Sequence, residues 1–261
     1  MEIKIGSVFP PGITAIGLFI SLMICLEIGR RLALRRGSLR SSDGNVGIGT
    51  IDGAIFALLG LLIAFTFSGA ANRFDMRREL IVKEANALGT AWLRVDLLPA
   101  ESQPAVRDLF RKYLDLRLEF YQDVLAENAR ETLRKSDAVQ AELWARTVAA
   151  TSEGRSPQAP MLLLPALNEV FDIRTSRTVA LLTHPPMPIF AMLGAVSLIS
   201  ALLAGHGMAG SGRRSLLHML SFGLVTSVAV FVILDLEYPR AGWIRIDMMD
   251  QVLRDLRQSF G

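Results

Sequence analysis

The sequence predicts an all-α fold: four transmembrane helices, with a helical extramembrane domain inserted between helices 2 and 3. Hydrophobic residues make up 51% of the 261 residues and the mean hydropathy is +0.37, which is high for a soluble domain. Four stretches contain no Asp, Glu, Lys or Arg: residues 5–26, 53–72, 185–212 and 215–234. Each is long enough for a spanning helix, which needs about 20 apolar residues.

The first transmembrane region covers residues 1–29 and begins its helix after a pair of prolines. Arg30 and Arg31 flank the end of this helix where a signal peptide would carry a cleavage site. We therefore expect the first helix to be retained. A connector that is first basic and then glycine-rich follows over residues 30–50.

The second transmembrane helix covers residues 51–71 and carries a face of small residues: Ala57, Gly60, Ala64 and Ser68. Small residues let helix backbones approach closely in a membrane, so we expect this helix inside a bundle, with ordinary helix packing as the alternative. Residues 72–98 contain no proline and one glycine. The helix is therefore predicted to continue out of the bilayer as far as Pro99.

The extramembrane domain covers residues 72–184. Apolar residues recur every three or four positions in its first part, which predicts an amphipathic helix over residues 103–135. Further helices are predicted over residues 137–150 and 165–183. A linker rich in Ser, Gly and Pro separates them at residues 151–160.

Two more transmembrane helices are predicted over residues 187–204 and 215–234. The ten residues between them include four glycines, which predicts a tight helical hairpin. The C-terminal tail, residues 235–261, contains Tyr238 and Trp243. Aromatic residues of this kind suit the headgroup boundary of a bilayer.

Composition and motifs argue against several classes of function. Residues 73–177 contain 16 basic and 16 acidic residues, without a Lys/Arg run interleaved with aromatics, so nucleic-acid binding has no support. The sequence lacks a phosphate-binding glycine loop, a GxSxG elbow and the CxxC and HExxH spacings. We expect neither an enzyme nor a bound metal or cofactor. Cys25 is the only cysteine, so the chain cannot form an internal disulfide.

Acidic residues at the membrane boundary are costly unless they have a partner or face water. Glu27 ends the first span and is interpreted as a marker of the interface. Asp235 follows an unbroken apolar run, and we expect it to pair with an arginine at the base of the second span. The candidates there are Arg73, Arg77 and Arg78.

Three segments carry distinctive patterns. They are FTFSGAANRFDMRRELIVKEANALGTAWLR at residues 65–94, PALNEVFD at residues 165–172 together with Arg177, and the C-terminal pattern Asp235-x-Glu237-x-Pro239-x-x-Gly242. These segments resemble a bacterial membrane family of unknown function that is commonly labelled bestrophin-like. The resemblance extends over most of the chain, from residue 50 to residue 250.

The resemblance implies a comparison with bestrophins, which are pentameric anion channels with four spans per subunit and a pore lined by the second span. In that comparison Leu61 and Phe65 occupy hydrophobic gate positions, and Ser68 lies one turn beyond them on the predicted pore path. The third gate position falls on Ala57, which is small and departs from the bestrophin pattern. The sequence has no acidic cluster that resembles the calcium clasp of the animal bestrophins.

Charged residues outside the bilayer are also expected to have roles in a channel. Arg73 and Arg77 follow the second span directly and are expected to attract anions. A polar network is expected to hold the helical domain together, because buried charges need partners. Its predicted members are Glu84, Asn86, Arg94, Asn168, Asp172, Arg177 and, at the membrane boundary, Asp235.

Two lines of reasoning disagree on the orientation in the membrane. Five arginines within residues 30–40 favour a cytoplasmic connector, which would place the large domain on the other side. The bestrophin resemblance implies a cytoplasmic domain. Nine near-membrane cations on the domain side, against seven on the connector side, agree with that implication. We therefore expect a multi-pass protein of the bacterial inner (plasma) membrane with its helical domain in the cytoplasm.

The favoured hypothesis is a homo-oligomeric, anion-leaning ion channel, with a pentamer as the preferred assembly and the second span lining the pore. Its partners would be the lipid bilayer, further copies of the chain and anions. The alternative is a non-conducting membrane scaffold or sensor whose helical domain binds a protein partner. The second span distinguishes the channel from the scaffold, because a pore helix exposes one face whereas a scaffold buries its small-residue face. A transporter is disfavoured because four spans are few and no inverted repeat is visible.

Overall fold

The computed structural model describes residues 10–36, 45–122, 129–153, 157–209, 216–240 and 242–261, and it contains no strand within these ranges. The all-α prediction is therefore confirmed. Short 3-10 helices cover Val95–Leu97 and Asp247–Asp250. The α-helices are α1 (Pro11–Arg36), α2 (Asn45–Arg94), α3 (Gln103–Gln122), α4 (Ala129–Glu153), α5 (Gln158–Leu182), α6 (Met187–Met208), α7 (Leu216–Glu237) and α8 (Gln251–Ser259).

Four segments of the described chain are long and apolar enough to cross a membrane, and they overlap the four predicted spans. The second span does continue beyond the apolar stretch, because α2 is a single helix of 50 residues that leads into the turn Val95–Leu97. The predicted connector and hairpin fall partly on residues 37–44 and 210–215, which lie outside the described residues.

The chain forms two compact units. One, here called the membrane unit, comprises the described residues within 6–74 and 184–244, with α1, α6, α7 and the N-terminal part of α2. The other, here called the helical unit, comprises the described residues within 75–183 and 245–261. It contains the remainder of α2 together with α3, α4, α5 and α8.

Two glycines set the packing of α1 on α6 in the membrane unit. A Cβ atom on Gly205 would overlap the carbonyl oxygen of Leu26 and lie 2.7 Å from its carbonyl carbon. A Cβ atom on Gly29 would overlap the carbonyl oxygen of Leu202 in the same way. The backbones therefore approach as closely as small residues allow, which is how membrane helices gain contact without a hydrophobic driving force.

The membrane part of α2 packs against α6 and α7 through one face. Leu59 and Ala70 belong to a buried cluster with Leu193 of α6 and with Val230 and Ile233 of α7. These two α2 residues lie three helical turns apart on one side of the helix. The opposite side of α2 is therefore available for other contacts.

The helical unit corrects one predicted helix. Thr132 Oγ1 donates a hydrogen bond of 3.0 Å to Glu119, although these residues would be about 20 Å apart in one straight helix. α3 and α4 therefore lie side by side, and the single helix predicted over residues 103–135 is wrong. Residues 122–128 contain neither Gly nor Pro, so the sequence has no breaker that marks the reversal. α4 instead runs unbroken through residues 135–137, where a boundary was predicted.

α5 begins at Gln158, seven residues before the predicted start at Pro165. Proline is common at a helix start, and this preference placed the predicted boundary there. Inside a helix Pro165 lacks an N–H and weakens the local hydrogen bonding. Arg94 supplies a donor in this turn, because its Nη1 atom lies 2.7 Å from the carbonyl oxygen of Leu162.

The C-terminal helix α8 was not predicted, since residues 235–261 were interpreted as a tail near the headgroups. Its end is fixed in the helical unit by an aromatic stack, with the rings of Phe260 and Trp92 3.9 Å apart. Arg111 Nε donates to the carbonyl oxygen of Phe260 at 3.0 Å, and Arg257 Nε pairs with Asp115 at 2.7 Å. These contacts hold α8 against α3.

Candidate functional site

A continuous row of exposed residues runs along α2 in the membrane unit. Its members recur every three or four positions, which places them on one side of the helix, opposite Leu59 and Ala70. Leu61 is 51% exposed and Phe65 67% exposed, although both are apolar. This row is here called the outer stripe and consists of Ala57, Leu61, Phe65, Ser68 and Asn72.

The apolar segment of α2 is the least buried of the four candidate spans. In the most apolar stretch of α2, 11% of the residues are buried within the chain, whereas 33% are buried in the corresponding stretch of α7. A single copy of the chain therefore leaves most of this helix uncovered. Large apolar residues exposed in this way face lipid, another protein surface or a central path.

The same side of α2 becomes polar in the helical unit. Asp75, Glu79, Lys83 and Asn86 are exposed and continue the spacing of three and four. Two ion pairs neutralise charges along the surface, since Arg78 lies 3.4 Å from Asp75 and Lys83 lies 3.6 Å from Glu79. Neither sign of charge dominates this part of the helix.

Arg73, a predicted anion-attracting residue, pairs with a carboxylate inside the membrane unit. Its Nε and Nη2 atoms both lie 2.8 Å from Oε2 of Glu237, whose side chain is fully buried at the end of α7. His184 Nδ1 lies 3.0 Å from the other oxygen of Glu237, and its ring stacks on Tyr238. The charge of Arg73 is therefore used to satisfy a buried acid.

Arg77, the second predicted anion-attracting residue, is 4% exposed. Its Nε donates to the carbonyl oxygen of Ala180 at 3.0 Å and its Nη2 to that of Thr183 at 3.1 Å. The last carbonyls of a helix lack partners within the helix, and a cation there also suits the helix dipole. Arg77 thus caps the C-terminal end of α5, a position that differs from the exposed one expected.

Asp235 is buried, and its carboxylate is bound by backbone N–H groups and not by an arginine among the described residues. Its carboxylate accepts hydrogen bonds from the backbone N–H groups of Trp243, at 2.9 Å, and Ile244, at 2.6 Å. A Cβ atom on Gly242 would overlap one Asp235 oxygen and lie 3.1 Å from the other. This contact explains the spacing of Asp235 and Gly242 in the C-terminal pattern. The arginine pair expected for Asp235 belongs instead to Glu237.

A buried ion network occupies the centre of the helical unit. Glu84 of α2 is fully buried and accepts a hydrogen bond of 2.9 Å from Arg117 Nε of α3. Its second oxygen pairs with Arg177 Nη1 of α5, and Arg177 Nη2 lies 2.9 Å from Asp250. The Arg177 guanidinium also lies 3.4 Å from the centre of the Tyr121 ring, within cation–π distance. The network therefore joins four elements of this unit.

Of the predicted network, the structure brings together Glu84 and Arg177. Asn86, Asn168 and Asp172 are exposed on helix surfaces, and Arg94 bonds to a backbone carbonyl. Sequence reasoning missed Arg117, Tyr121 and Asp250. Arg117 had a signal, because it lies four residues after Tyr113 and four before Tyr121, within the buried stripe of α3. The sequence contained no comparable signal for Asp250, because no helical pattern was recognised in the tail that would predict a buried side chain at this position.

Comparison with known proteins places this geometry in a family. A sequence model of the Bestrophin-like domain matches residues 20–248. Two crystal structures of substituted forms of a bacterial bestrophin homologue from Klebsiella pneumoniae share the fold. One has a TM-score of 0.69 at 15% identity and covers 95% of this chain and 99% of its own. The other has a TM-score of 0.70 at 12% identity and covers 94% and 96%. No curated protein matches the chain.

The fold, its four apolar segments and the family match define a multi-pass membrane protein of the bestrophin channel type. The chain belongs to the bestrophin-like family. The match confirms the resemblance to this family that the three sequence segments indicated.

Proposed function

We propose that the chain is one subunit of a homo-oligomeric ion channel, with a pentamer favoured, in which α2 lines the ion path. The outer stripe is the observation that carries the proposal, because it leaves one side of a spanning helix uncovered along its length. Symmetric copies around a central axis would bring five such stripes together. The family match supports an oligomeric assembly, and the pentamer is part of the proposal.

The outer stripe changes character along the helix in a way that suits a gated path. Leu61 and Phe65 would form an apolar constriction, which closes to ions by dewetting. Ser68 and Asn72 follow on the same side and offer polar groups to water and ions. With a polar vestibule next to the constriction, the barrier to ions is confined to a short segment of the helix.

The anion-leaning character rests on the bestrophin resemblance and not on Arg73 or Arg77. Both guanidinium groups are occupied by internal partners. The exposed charges of α2 beyond the bilayer are paired with one another, at Arg78–Asp75 and Lys83–Glu79. We therefore propose modest selectivity for anions over cations. The proposed location is the bacterial inner membrane, with the helical unit on the cytoplasmic side.

Replacing Phe65 with alanine is expected to raise chloride flux several-fold, because the variant removes the widest apolar group of the constriction. The measurement is chloride and potassium efflux from liposomes that contain equal amounts of folded protein. Phe67→Ala is the matched control, because Phe67 is also exposed but lies about 160° away around the helix. The control is expected to keep the parent rate.

Equal rates for the parent and Phe65→Ala would contradict a gate at this position. Potassium efflux faster than chloride efflux would contradict the anion preference alone. Absence of flux from the parent and from both variants would favour the non-conducting scaffold. In that case the outer stripe would be a surface that another protein covers.

A further inference from the structure

A groove of about 540 Å³ runs along the outside of α1 in the membrane unit. Apolar side chains line its length, from Phe19 to Ile28, and the charged side chains of Glu27 and Arg31 line its end. The residues that line it all belong to α1, so one copy of the chain leaves it open to the surroundings. It is here called the α1 groove.

The α1 groove lies opposite the side of α1 that packs within the membrane unit. That packed side is centred on Leu22 and Leu26, which are fully buried. Ile24 and Arg31 lie about 160–180° away from Leu22 around the helix, and both are exposed. This side of α1 is therefore available to a partner outside the chain.

The length of the α1 groove matches the depth of one bilayer leaflet. Phe19 and Arg31 are separated by about 18 Å along a helix, whereas half of the hydrocarbon core is about 15 Å thick. Glu27 is the first charged residue after the charge-free stretch of residues 5–26. The charged end of the groove therefore lies at the headgroup boundary, and Phe19 lies near the centre of the bilayer.

Arg31 has hydrogen-bond donors left at this charged end. Its Nε atom donates to Glu27 at 2.7 Å, and this is its one hydrogen bond to the described residues. A guanidinium carries five N–H donors in a rigid fork, so both Nη groups remain for another acceptor. Glu27 also accepts bonds of 3.0 and 2.8 Å from Arg30. A single carboxylate thus positions two arginines.

The charge at this end of α1 calls for an anion. Arg35 lies one turn beyond Arg31 on the same side, is exposed, and has no ion pair within the described residues. Arg30, Arg31 and Arg35 therefore bring three positive charges against the one negative charge of Glu27. A phosphate group suits such a site, because an arginine fork binds two of its oxygens at once.

A second copy of the chain would supply little negative charge to these arginines. Within the described residues of the membrane unit, the acids besides Glu27 are Asp52, Asp235 and Glu237. Asp235 and Glu237 are buried at the end of α7, on the other side of the bilayer. Asp52, half-buried near the start of α2, is then the remaining carboxylate. Anionic phospholipids, in contrast, surround a spanning helix at the required depth.

We propose that the α1 groove binds one acyl chain of an anionic phospholipid, whose phosphate is held by the Nη groups of Arg31 and attracted by Arg35. The bound lipid supplies the counter-charge that the arginines lack. The site is separate from the outer stripe of α2 and does not depend on ion conduction.

The experiment is a lipid titration of the full chain in detergent, followed by native mass spectrometry. The probes are phosphatidylglycerol and phosphatidylcholine with the same acyl chains, because choline cancels the phosphate charge. Phosphatidylglycerol is expected to saturate at one lipid per chain and to bind about tenfold more tightly than phosphatidylcholine. Arg31→Gln is expected to remove this preference.

Arg146→Gln is the matched control for the charge. Arg146 Nε also donates to a glutamate four residues earlier, Glu142, at 2.9 Å, and its side chain is 56% exposed against 66% for Arg31. Arg146 lies on α4 of the helical unit, outside the spanning helices. The control is expected to keep the lipid preference of the parent.

Ile24→Trp tests the apolar length of the groove separately from its charge. The indole would occupy the groove, so binding of both lipids is expected to weaken several-fold. Ile199→Trp is the control, because Ile199 is exposed on α6 and does not line the groove.

Three outcomes would overturn the proposal. The first is equal affinity of the parent for the two lipids. The second is phosphatidylglycerol binding that is the same in Arg31→Gln, Ile24→Trp and the parent. The third is a smaller assembly in Ile24→Trp with unchanged lipid binding, which would assign the groove to a contact between subunits.

Discussion

Replacing Glu84 with glutamine is expected to lower the free energy of unfolding by about 3–5 kcal/mol, the cost of breaking a buried ion pair from one side. Glu84 is the carboxylate that both Arg117 and Arg177 contact, and all three side chains are at most 5% exposed. The amide has nearly the same volume but no charge. Two buried guanidinium groups would therefore lose their shared counter-charge while the packing stayed the same.

Chemical unfolding of the purified protein, followed by circular dichroism, measures this loss. Glu79→Gln is the matched control on the same helix, because Glu79 is exposed and pairs with Lys83 at a distance of 3.6 Å. Exposed pairs of this kind contribute about 0.3–0.5 kcal/mol. Equal unfolding curves for the two variants would contradict the role of Glu84 as the shared counter-charge of Arg117 and Arg177.

The second large effect is expected from Gly205→Ala in the membrane unit. One methyl group at this position would overlap the backbone of Leu26, and backbone cannot move aside as a flexible side chain can. α1 and α6 would have to separate along their contact. The free energy of unfolding should therefore fall by more than the 1–3 kcal/mol, roughly, that is typical of an overpacked core. We expect little monodisperse protein in detergent and a much lower unfolding temperature.

Gly207→Ala is the control for this variant, since Gly207 lies on the same helix and a Cβ atom added there would enter open space. It should behave like the parent, or be slightly more stable because alanine favours a helix. Size-exclusion chromatography and a thermal unfolding curve compare the three proteins. Normal yield and stability of Gly205→Ala would contradict the close approach of α1 and α6.

The membrane helices could be predicted because their signal is strong and local. Four charge-free stretches are long enough to span a bilayer, and the absence of breakers after residue 72 correctly predicted that α2 continues. The reversal between α3 and α4 could not be predicted, because residues 122–128 contain neither Gly nor Pro. Tertiary packing, visible in the contact of Thr132 with Glu119, decides this turn.

The partners of charged residues were harder to predict than the helices. Asp235 and Glu237 are two residues apart and so point to different sides of α7, and the sequence does not say which side meets an arginine. The spacing did contain one unused signal. Arg73 and Arg77 follow Ala70 at intervals of three and four, which places both on the buried side of α2 and not on the outer stripe.

Native mass spectrometry of the detergent-purified protein tests most directly whether the outer stripe faces an axis shared by several copies. We expect a single closed assembly with about five times the 28.6 kDa mass of the chain, in keeping with the closed symmetry of most homo-oligomers. The assembly should persist when detergent micelles are stripped in the gas phase. A monomer or dimer would contradict the account, because α2 would then have no central path to line.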